Sequence, residues 1–368
     1  MNLLITGATG FLGGAVLAKV LLDDKPVSLL LLVRSDNSQN ALARIKKNLV
    51  NFGCTEKTLE KLTSDNILIG DLSDPDGFIH DERLNNITHV INSAAIASFG
   101  ENPLIWKVNV EGTLKFATHM SKYAKLQRFV HVGTAMSCVP EAGSVVTESL
   151  TLKDENEHLV QYTYSKSVIE NRMLAECPDL PLVIARPSII VGHSEQGCKP
   201  STSIFWVFRM ALMLGKFMCS MDDKIDVIPV DYCADALLLL LQKENMNEKI
   251  FHISAGEAGS VTFGEIDNAI AQATETKPVN LSYEQVEYIE LVKSRKSFKG
   301  IFGQCNERLM LRAMRLYGEF SILNVRFSNE KLLGLGISAP PRFTDYVAKC
   351  VATTANQSIP EQMVVDFK

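Results

Sequence analysis

Short apolar runs alternate with longer helical patterns through the first 190 residues. Six runs have the length of single strands and are mostly rich in Leu, Ile or Val: Asn2–Thr6, Ser28–Val33, Asn66–Ile69, His89–Ser93, Phe129–Val132 and Leu182–Ala185. Helical spacing occurs between them in Phe11–Leu22, Asn40–Phe52, Trp106–Ala124 and Tyr162–Cys177. Apolar strands without polar alternation are typical of a parallel sheet that is covered on both faces. The pattern therefore predicts an α/β chain with a doubly wound parallel sheet.

The pattern loosens after Pro187. Gly192 to Ser203 is polar and predicts a loop, and an apolar helical stretch follows to about Cys219. Further short strands are predicted at Asp226–Pro229 and Ile250–Ser254, and helices at Tyr232–Gln242, Thr262–Thr274 and Phe343–Thr353. Thr262 and Glu265 have the spacing of a capping box at the start of their helix. Residues 191–368 are therefore predicted to form a smaller, mostly helical lobe.

Composition narrows the class of protein. Hydrophobic residues make up 46% of the 368 residues and charged residues 21%, and the mean hydropathy is +0.07, so the chain can bury a sizeable core. The net charge of −5 argues against a nucleic-acid-binding protein, which normally carries a basic excess. The eight cysteines form no C-x-x-C pair and, with seven scattered histidines, show no zinc spacing. We expect free thiols and no bound metal.

Two features of the sequence bear on the cellular location of the protein. A strand pattern begins at Asn2, with no signal peptide before it. Arg209 and Lys216 interrupt the apolar stretch Ile204–Met221, and such charges are costly in lipid. The sequence therefore predicts a cytoplasmic protein without a transmembrane segment.

A glycine-rich loop joins the first strand to the first helix. Its sequence is G-x-x-G-x-x-G, with Thr9, Phe11 and Leu12 between glycines 7, 10 and 13. Gly7 permits the tight turn, Gly10 lets backbone N–H groups approach a pyrophosphate, and Gly13 lets helix and strand pack closely. The N-terminus of the helix supplies the positive end of its dipole. This context predicts a Rossmann dinucleotide-binding domain over residues 1–190, to which segment 225–255 returns.

The end of the second strand bears on the choice of cofactor. Sites for NAD usually place an acidic residue here to bind the ribose 2′-hydroxyl, whereas an arginine accommodates a 2′-phosphate. Arg34 stands at this point, and Arg44 on the next helix adds positive charge. NADPH is therefore favoured over NADH, although Asp36 keeps the alternative open.

Two further strand ends contribute candidate cofactor contacts. Asp71 and Leu72 follow the third strand, where Asp71 either accepts from the adenine amino group or caps the next turn. Ser93, Ala94 and Ala95 end the fourth strand. Their small side chains let ribose and pyrophosphate lie against the backbone, but they are equally ordinary in a packed sheet.

A tyrosine and a lysine four residues apart lie on one face of a predicted helix. They are Tyr162 and Lys166 in Y-x-x-x-K, whereas Tyr164 has Val168 at its i+4 position. A phenol with a pKa near 10 becomes a useful acid or base at neutral pH when a nearby cation lowers that pKa. Thr134, at the carboxyl end of the preceding strand, can polarise a carbonyl oxygen. These three residues are the candidate catalytic groups.

Taken together, these motifs resemble the extended short-chain dehydrogenase/reductase family, most closely its thioester reductase and fatty acyl reductase branch. The matching stretches cover about the first 260 residues: Thr6–Gly13, Gly70–Leu72, Asn109–Thr113, Val132–Ala135, Tyr162–Lys166, Arg186–Ser188 and Val230–Tyr232. The branch is indicated by Leu31–Ser35, Ala43-Arg44, His131–Ala135 and Asp226–Tyr232. Two positions depart from the pattern, since Gly133 stands where the branch often has serine and Asn92 where extended members often have histidine.

The resemblance implies an NADPH-dependent reductase of an acyl thioester carried on coenzyme A or a carrier protein. It implies that Thr134 and Tyr162 stabilise the oxyanion, that Lys166 holds the cofactor, and that Pro187 and Ser188 contact it. Asn109 either joins a proton relay or braces the sheet. The resemblance implies either one reduction to an aldehyde or a second hydride transfer that gives an alcohol. The alternatives are a carbonyl reductase or dehydrogenase of the hydroxysteroid or flavanonol type, a sugar-nucleotide epimerase or dehydratase, and an NADPH sensor without turnover.

Two stretches outside the motifs bear on the substrate. The apolar positions between Ile204 and Met218 either wall a tunnel for an acyl chain or form plain core. Seven basic residues lie within positions 293–315, opposed there by Glu307 alone. They either meet the phosphates of coenzyme A or an acidic carrier protein, or form a solvated helical face.

Overall fold

A parallel sheet of seven strands is the centre of the computed structural model, which describes residues 1–366 except 24, 99, 101 and 151. In chain order its strands are β1 (Asn2–Thr6), β2 (Ser28–Val33), β3 (Ile67–Ile69), β4 (His89–Asn92), β5 (Arg128–Val132), β6 (Leu182–Pro187) and β7 (Ile250–Ile253). Their order in the sheet is β7-β6-β5-β4-β1-β2-β3, and every pairing is parallel. The order reverses between β1 and β4, so ligands are expected where those strands end. The predicted doubly wound α/β fold is confirmed.

Helices cover both faces of this sheet. The helices of eight or more described residues are α1 (Phe11–Leu22), α2 (Ser38–Asn51), α3 (Thr113–Tyr123), α4 (Gln161–Glu176), α5 (Phe205–Leu214), α6 (Val230–Gln242), α7 (Phe263–Thr274), α8 (Glu307–Ser321), α9 (Phe343–Thr354) and α10 (Ile359–Asp366). Successive strand residues point to opposite faces, and both faces are apolar. Leu3 and Ile5 of β1 pack in the layer that contains α1 and α6, whereas Leu4 packs in the layer that contains α3 and α4.

Shorter elements connect these parts. Short helices lie at Glu56–Leu59, Leu104–Trp106, Gly256–Gly259, Tyr288–Lys293, Phe298–Phe302 and Glu330–Leu333. Two-residue strands pair outside the main sheet: Val145–Val146 with Arg326–Phe327, Ile189–Ile190 with Val227–Ile228, Lys216–Phe217 with Glu284–Gln285, and Lys224–Ile225 with Val261–Thr262. Among the described residues, no helix combines the length and the apolar composition needed to cross a membrane.

Several predicted boundaries change in the structure. The apolar helix expected to reach about Cys219 ends at Leu214, because Lys216–Phe217 pairs as a strand. The helix predicted over Trp106–Ala124 contains a segment of π geometry, Lys107–Gly112, before α3 begins. The capping box of α7 is present, since Thr262 and Glu265 exchange side-chain-to-backbone hydrogen bonds of 3.1 and 2.8 Å.

Candidate active site

The glycine loop leaves no room for side chains between β1 and α1. Gly7 has φ of +77°, which favours glycine, and its carbonyl oxygen accepts a hydrogen bond of 2.8 Å from the N–H of Gly10. A Cβ atom at Gly13 would overlap that same carbonyl group. The loop therefore keeps the first turn of α1 close to the strand end, with its backbone open to a ligand.

A cleft of about 360 Å³ runs from this loop along the ends of β1, β2, β3 and β4. Twelve of the predicted cofactor residues line it: Gly7, Thr9, Gly10, Phe11, Leu12, Gly13, Arg34, Asp71, Leu72, Ser93, Ala94 and Ala95. The structure thus brings together residues from four separate strand ends. A cradle of this shape at a helix N-terminus fits the pyrophosphate of a dinucleotide.

Arg34 lies at the outer end of the cleft. Its Nη1 atom is 3.9 Å from Oδ2 of Asp71, and its carbonyl oxygen accepts a hydrogen bond of 2.7 Å from Nη1 of Arg44. Arg34, Asp36 and Arg44 also line an open hollow next to the cleft. Oδ1 of Asp71 accepts from the N–H of Ser73 at 2.8 Å, so this aspartate does cap the following turn.

A buried polar chain that sequence reasoning missed crosses the strand ends. The hydroxyl of Thr6 donates to Oδ1 of Asn92 at 2.7 Å, and Nδ2 of Asn92 lies 3.1 Å from Nδ1 of His131. The hydroxyl of Ser93 donates a hydrogen bond of 2.7 Å to the carbonyl oxygen of Thr6, so it is bound to the backbone of β1. Burial, with the charge of Lys166 as a smaller cause, places the pKa of His131 well below its usual value. In the sequence, the signal that could have revealed this chain is the presence of polar residues within the apolar strands.

The Tyr–Lys pair lies on α4, beside the end of β5. Nζ of Lys166 donates a hydrogen bond of 2.7 Å to the carbonyl oxygen of Val132 and lies 5.9 Å from the ring centroid of Tyr162. The ring of Tyr164 instead packs against that of Trp106, with 5.9 Å between the centroids. The helix thus separates its two tyrosines, and Tyr162 is the one that shares a face with Lys166.

The electrostatics of this pair differ from the expectation. Burial raises the pKa of Tyr162 to about 12, and the charge of Glu170 adds to the rise. Burial lowers the pKa of Lys166 to about 8, while Glu170 opposes that shift. The expected net fall in the pKa of Tyr162 is not present, because burial outweighs any stabilisation of the phenolate by the ammonium of Lys166, which is directed at Val132. At neutral pH the phenol holds its proton and can act as an acid.

Thr134 and Tyr162 line a second cavity, apolar and about 320 Å³ in volume. Thr134 follows β5 in extended geometry, and its hydroxyl accepts from the N–H of Met136 at 3.4 Å. Phe11 and Ala97 line both this cavity and the cofactor cleft, so the two spaces adjoin. Thr134 and Tyr162 thus belong to the wall of the apolar cavity that adjoins the cofactor cleft, whereas Lys166 lines neither space.

The strand end after β6 lies apart from the cleft. Ser188 lines the apolar cavity instead of the cofactor cleft, and Pro187 lines neither. The cofactor contacts expected at these two positions stay predictions.

Residues of the apolar stretch on α5 lie both in the wall of the cavity and in the core. Ile204, Val207 and Phe208 line the cavity, whereas Trp206 and Met210 are buried without lining it. The assignment of the cavity to an acyl chain stays a prediction.

Several basic residues of positions 293–315 form ion pairs with acidic side chains. Lys293 is paired with Glu290, Arg295 and Lys299 with Glu307, and Arg315 with Glu319. Two of these partners lie outside the stretch itself. The described contacts thus favour a solvated face over most of its length.

Asn109 braces the loop after β4. Its side chain accepts from the N–H of Ile96 at 2.8 Å and donates to the carbonyl oxygen of Ile96 and to Oγ of Ser165, both at 3.1 Å. These bonds tie the loop that carries Ala97 to α4. Of the two roles considered for Asn109, these hydrogen bonds favour the bracing role.

The strand order, the glycine loop and the Tyr–Lys helix agree with membership of the extended short-chain dehydrogenase/reductase family, in its thioester and fatty acyl reductase branch. The chain belongs to the male sterility protein family, whose sequence profile matches residues 5–237.

Curated relatives carry related descriptions. A putative fatty acyl-CoA reductase of Drosophila melanogaster is 26% identical over 327 residues, covering 76% of this chain and 59% of its own length. The fatty acyl-CoA reductase wat of the same organism is 28% identical over 277 residues, covering 64% and 52%. The chain thus spans between half and three fifths of the length of these two relatives.

Solved structures share the fold. The terminal R domain from the myxalamid PKS-NRPS biosynthetic pathway superposes with a TM-score of 0.75 at 20% identity, over 97% of this chain and 90% of that one. The reductase domain of a non-ribosomal peptide synthetase from Mycobacterium tuberculosis gives a TM-score of 0.68 at 19% identity, over 96% and 91%.

Proposed function

We propose that the chain is an NADPH-dependent reductase of acyl thioesters, carried on coenzyme A or on a carrier protein. The observation that carries the proposal is that the cofactor cleft adjoins, at Phe11 and Ala97, an apolar cavity whose wall includes Thr134 and Tyr162. An apolar cavity suits an acyl chain and offers little to a sugar diphosphate. The similarity to two relatives of Drosophila melanogaster that are described as fatty acyl-CoA reductases supports the same substrate class.

The residues of the cleft fit a nicotinamide dinucleotide. Gly7 and Gly13 form a cradle that a Cβ atom would fill, and Arg34 and Arg44 carry positive charge at its outer end. Ser93, Ala94 and Leu72 supply the remaining wall. When bound, the cofactor supplies the hydride.

The protein's own residues handle the oxygen and the proton. The hydroxyl groups of Thr134 and Tyr162 donate hydrogen bonds to the substrate carbonyl oxygen, which gains negative charge as the carbon is reduced. Tyr162 then gives its proton to that oxygen, and the charge of Lys166 stabilises the phenolate that remains. Loss of thiol from the resulting hemithioacetal leaves an aldehyde, and a second reduction yields an alcohol.

The division of the chain into a cofactor domain and a substrate lobe is part of the same proposal. Residues 1–190, with the return of 225–255, build the cofactor domain, and residues 191–368 build the substrate lobe. The position of β7 at the edge of the main sheet and the packing of α6 against α1 support this return.

The direct test follows NADPH oxidation by the purified protein with a series of acyl-CoA thioesters, an acylated carrier protein, and matched free aldehydes and ketones. Turnover of a thioester with release of free thiol supports the proposal. Turnover of free carbonyl compounds alone contradicts it and identifies a carbonyl reductase. Binding of NADPH without turnover of any of these substrates also contradicts it.

Replacing Arg34 with methionine is expected to raise the KM for NADPH about 10- to 100-fold and to leave the KM for NADH nearly unchanged. The reason is the loss of a charge-assisted hydrogen bond to the 2′-phosphate, worth about 1.5–3 kcal/mol. Steady-state kinetics with both cofactors measures the effect. Lys47→Met, an exposed change on α2, is the matched control. An equal loss with both cofactors contradicts the assigned role.

Replacing Ala211 with phenylalanine is expected to shorten the longest acyl chain that is reduced. Ala211 is buried on α5 and lines the cavity, so a ring at this position occupies space that the acyl chain needs. We expect kcat/KM for the longest substrates to fall by about tenfold or more, since each excluded methylene forfeits about 0.8 kcal/mol. Met213→Phe on the exposed side of the same helix is the control. An unchanged chain-length profile would show that the acyl chain binds elsewhere.

A further inference from the structure

A buried ion pair joins the helix of the Tyr–Lys pair to the sheet. Nε and Nη2 of Arg186, on β6, donate hydrogen bonds of 3.0 and 2.6 Å to Oε2 of Glu170 on α4. The side chain of Glu170 is 0% exposed and that of Arg186 is 2% exposed. Buried ion pairs are often no more stabilising than apolar residues of the same volume. Stability alone therefore gives little reason for this pair.

The second carboxylate oxygen lies against the strand end that carries Thr134. Oε1 of Glu170 has no hydrogen-bond partner among the described groups, and it occupies the space that a Cβ atom at Gly133 would need. Lys166 donates to the carbonyl oxygen of the residue before, Val132. The carboxylate and the ammonium thus flank one peptide group, directly before Thr134. The same contact explains why glycine stands at position 133.

We propose that Glu170 is a positioning residue for the Tyr162–Lys166 pair: its carboxylate keeps the buried ammonium of Lys166 charged and, with Arg186, fixes the end of β5. The proposal deepens the proposed function and rests on it for the meaning of the charge in catalysis. The effect of the Glu170 carboxylate on the titration of Lys166 is a property of the fold and can be measured without a substrate.

The charges around the pair agree with this assignment. Lys166 precedes Glu170 by one helical turn, a spacing at which side chains interact. Burial is the larger cause of the raised pKa of Tyr162 and of the lowered pKa of Lys166; the charge of Glu170 adds to the first shift and opposes the second, and both groups keep their protons at neutral pH. Burial also raises the pKa of Glu170, whereas the neighbouring charges of Arg186 and Lys166 favour its charged form. That is the protonation state a reductase needs. Arg186 donates to the carbonyl oxygen of Ser149 at 2.7 Å as well, so it is held independently of Glu170.

The other titratable groups near the pair come from several elements: His131 on β5, Cys138 after it, Glu148 before α4 and His252 on β7. Burial places the pKa of His131 well below its usual value and lowers that of His252 to about 3, so both imidazoles are neutral. Burial raises the pKa of Cys138, which stays a thiol. None of these three groups supplies the charge that Glu170 brings to Lys166.

The test is Glu170→Gln, which keeps the shape of the side chain and removes its charge. The midpoint of the Lys166 titration, followed by NMR of 13C-labelled lysine side chains and assigned with Lys166→Met, is expected to fall by about one pH unit or more. With any carbonyl substrate that turns over, the loss of kcat/KM at high pH is expected to move down with it. Glu176→Gln, on an exposed ion pair of the same helix with Arg172, is the matched control and is expected to change neither.

An unchanged Lys166 midpoint in folded Glu170→Gln overturns the proposal. If that variant does not fold, Glu170→Leu/Arg186→Met removes the pair without leaving an unbalanced charge, and the same downward shift is expected. Glu170→Asp, which keeps the charge, is expected to leave the Lys166 midpoint close to that of the wild type. A shifted midpoint in a protein that reduces no substrate contradicts the proposed function and supports the role of Glu170, so the two failures are distinguishable.

Discussion

Tyr162→Phe lowers kcat for carbonyl reduction by about 10²–10⁴-fold, the range that a positioned proton donor contributes. The affinity for NADPH is expected to stay nearly unchanged, because the phenol hydroxyl is the one group removed and the aromatic ring is kept. The raised pKa of Tyr162, about 12, keeps the wild-type phenol protonated across the working range of pH. Stopped-flow measurement of hydride transfer, with a separate titration of NADPH binding, distinguishes chemistry from binding.

Tyr164→Phe is the matched control for that experiment. Tyr164 lies two residues further along α4 and packs against Trp106, outside the lining of both cavities. Its substitution is expected to change kcat by less than about twofold, as for a group that makes no contact in the transition state. Equal losses in the two variants, or full activity of Tyr162→Phe, would remove Tyr162 from the proposed mechanism.

Gly13→Ala is expected to weaken NADPH binding about 10- to 100-fold and to destabilise the fold by about 1–3 kcal/mol. The new Cβ atom overlaps the carbonyl group of Gly7, so either the loop moves or α1 is pushed off the strand end. Backbone hydrogen bonds to an anionic phosphate are worth about 1.5–3 kcal/mol and depend on that geometry. Fluorescence titration with NADPH and urea unfolding measure the two effects.

Gly300→Ala is the control, because an added Cβ atom at that position has no neighbour within 4 Å. In a short helix the change to alanine is expected to leave stability unchanged or raise it by up to about 1 kcal/mol, through the unfolded chain. Wild-type NADPH affinity in Gly13→Ala would show that the loop does not hold the pyrophosphate.

Local patterns made the first half of the fold predictable. The strand runs, the glycine spacing and the Tyr162–Lys166 spacing are each contained within a few consecutive residues, and the structure places them at one edge of one sheet. The direction of Lys166 was not predictable, because its hydrogen bond to Val132 depends on how α4 packs on β5. Spacing alone suggested a lowered pKa for the phenol, whereas burial decides it.

Long-range contacts explain the features that the sequence did not reveal. Glu170 and Arg186 are joined only when α4 packs on β6, and nothing in their local sequence marks them as partners. The apolar cavity draws its lining from residues between Phe11 and Phe327, so no single stretch predicts it. The acidic partners of the basic stretch likewise come partly from outside it.

The cofactor cleft and the apolar cavity are lined by different parts of the chain, and this separation affects how such proteins diversify. Every residue that lines the cofactor cleft lies between positions 7 and 108, whereas the apolar cavity takes all its lining from position 134 onward apart from Phe11 and Ala97. Under the proposed function, mutations in the later part of the chain, other than at Thr134, Tyr162 and Lys166, can therefore alter the substrate and leave the cofactor cleft unchanged. Selection can explore new substrates on an inherited cofactor cleft, and Phe11 and Ala97 are the described lining positions that are under both constraints.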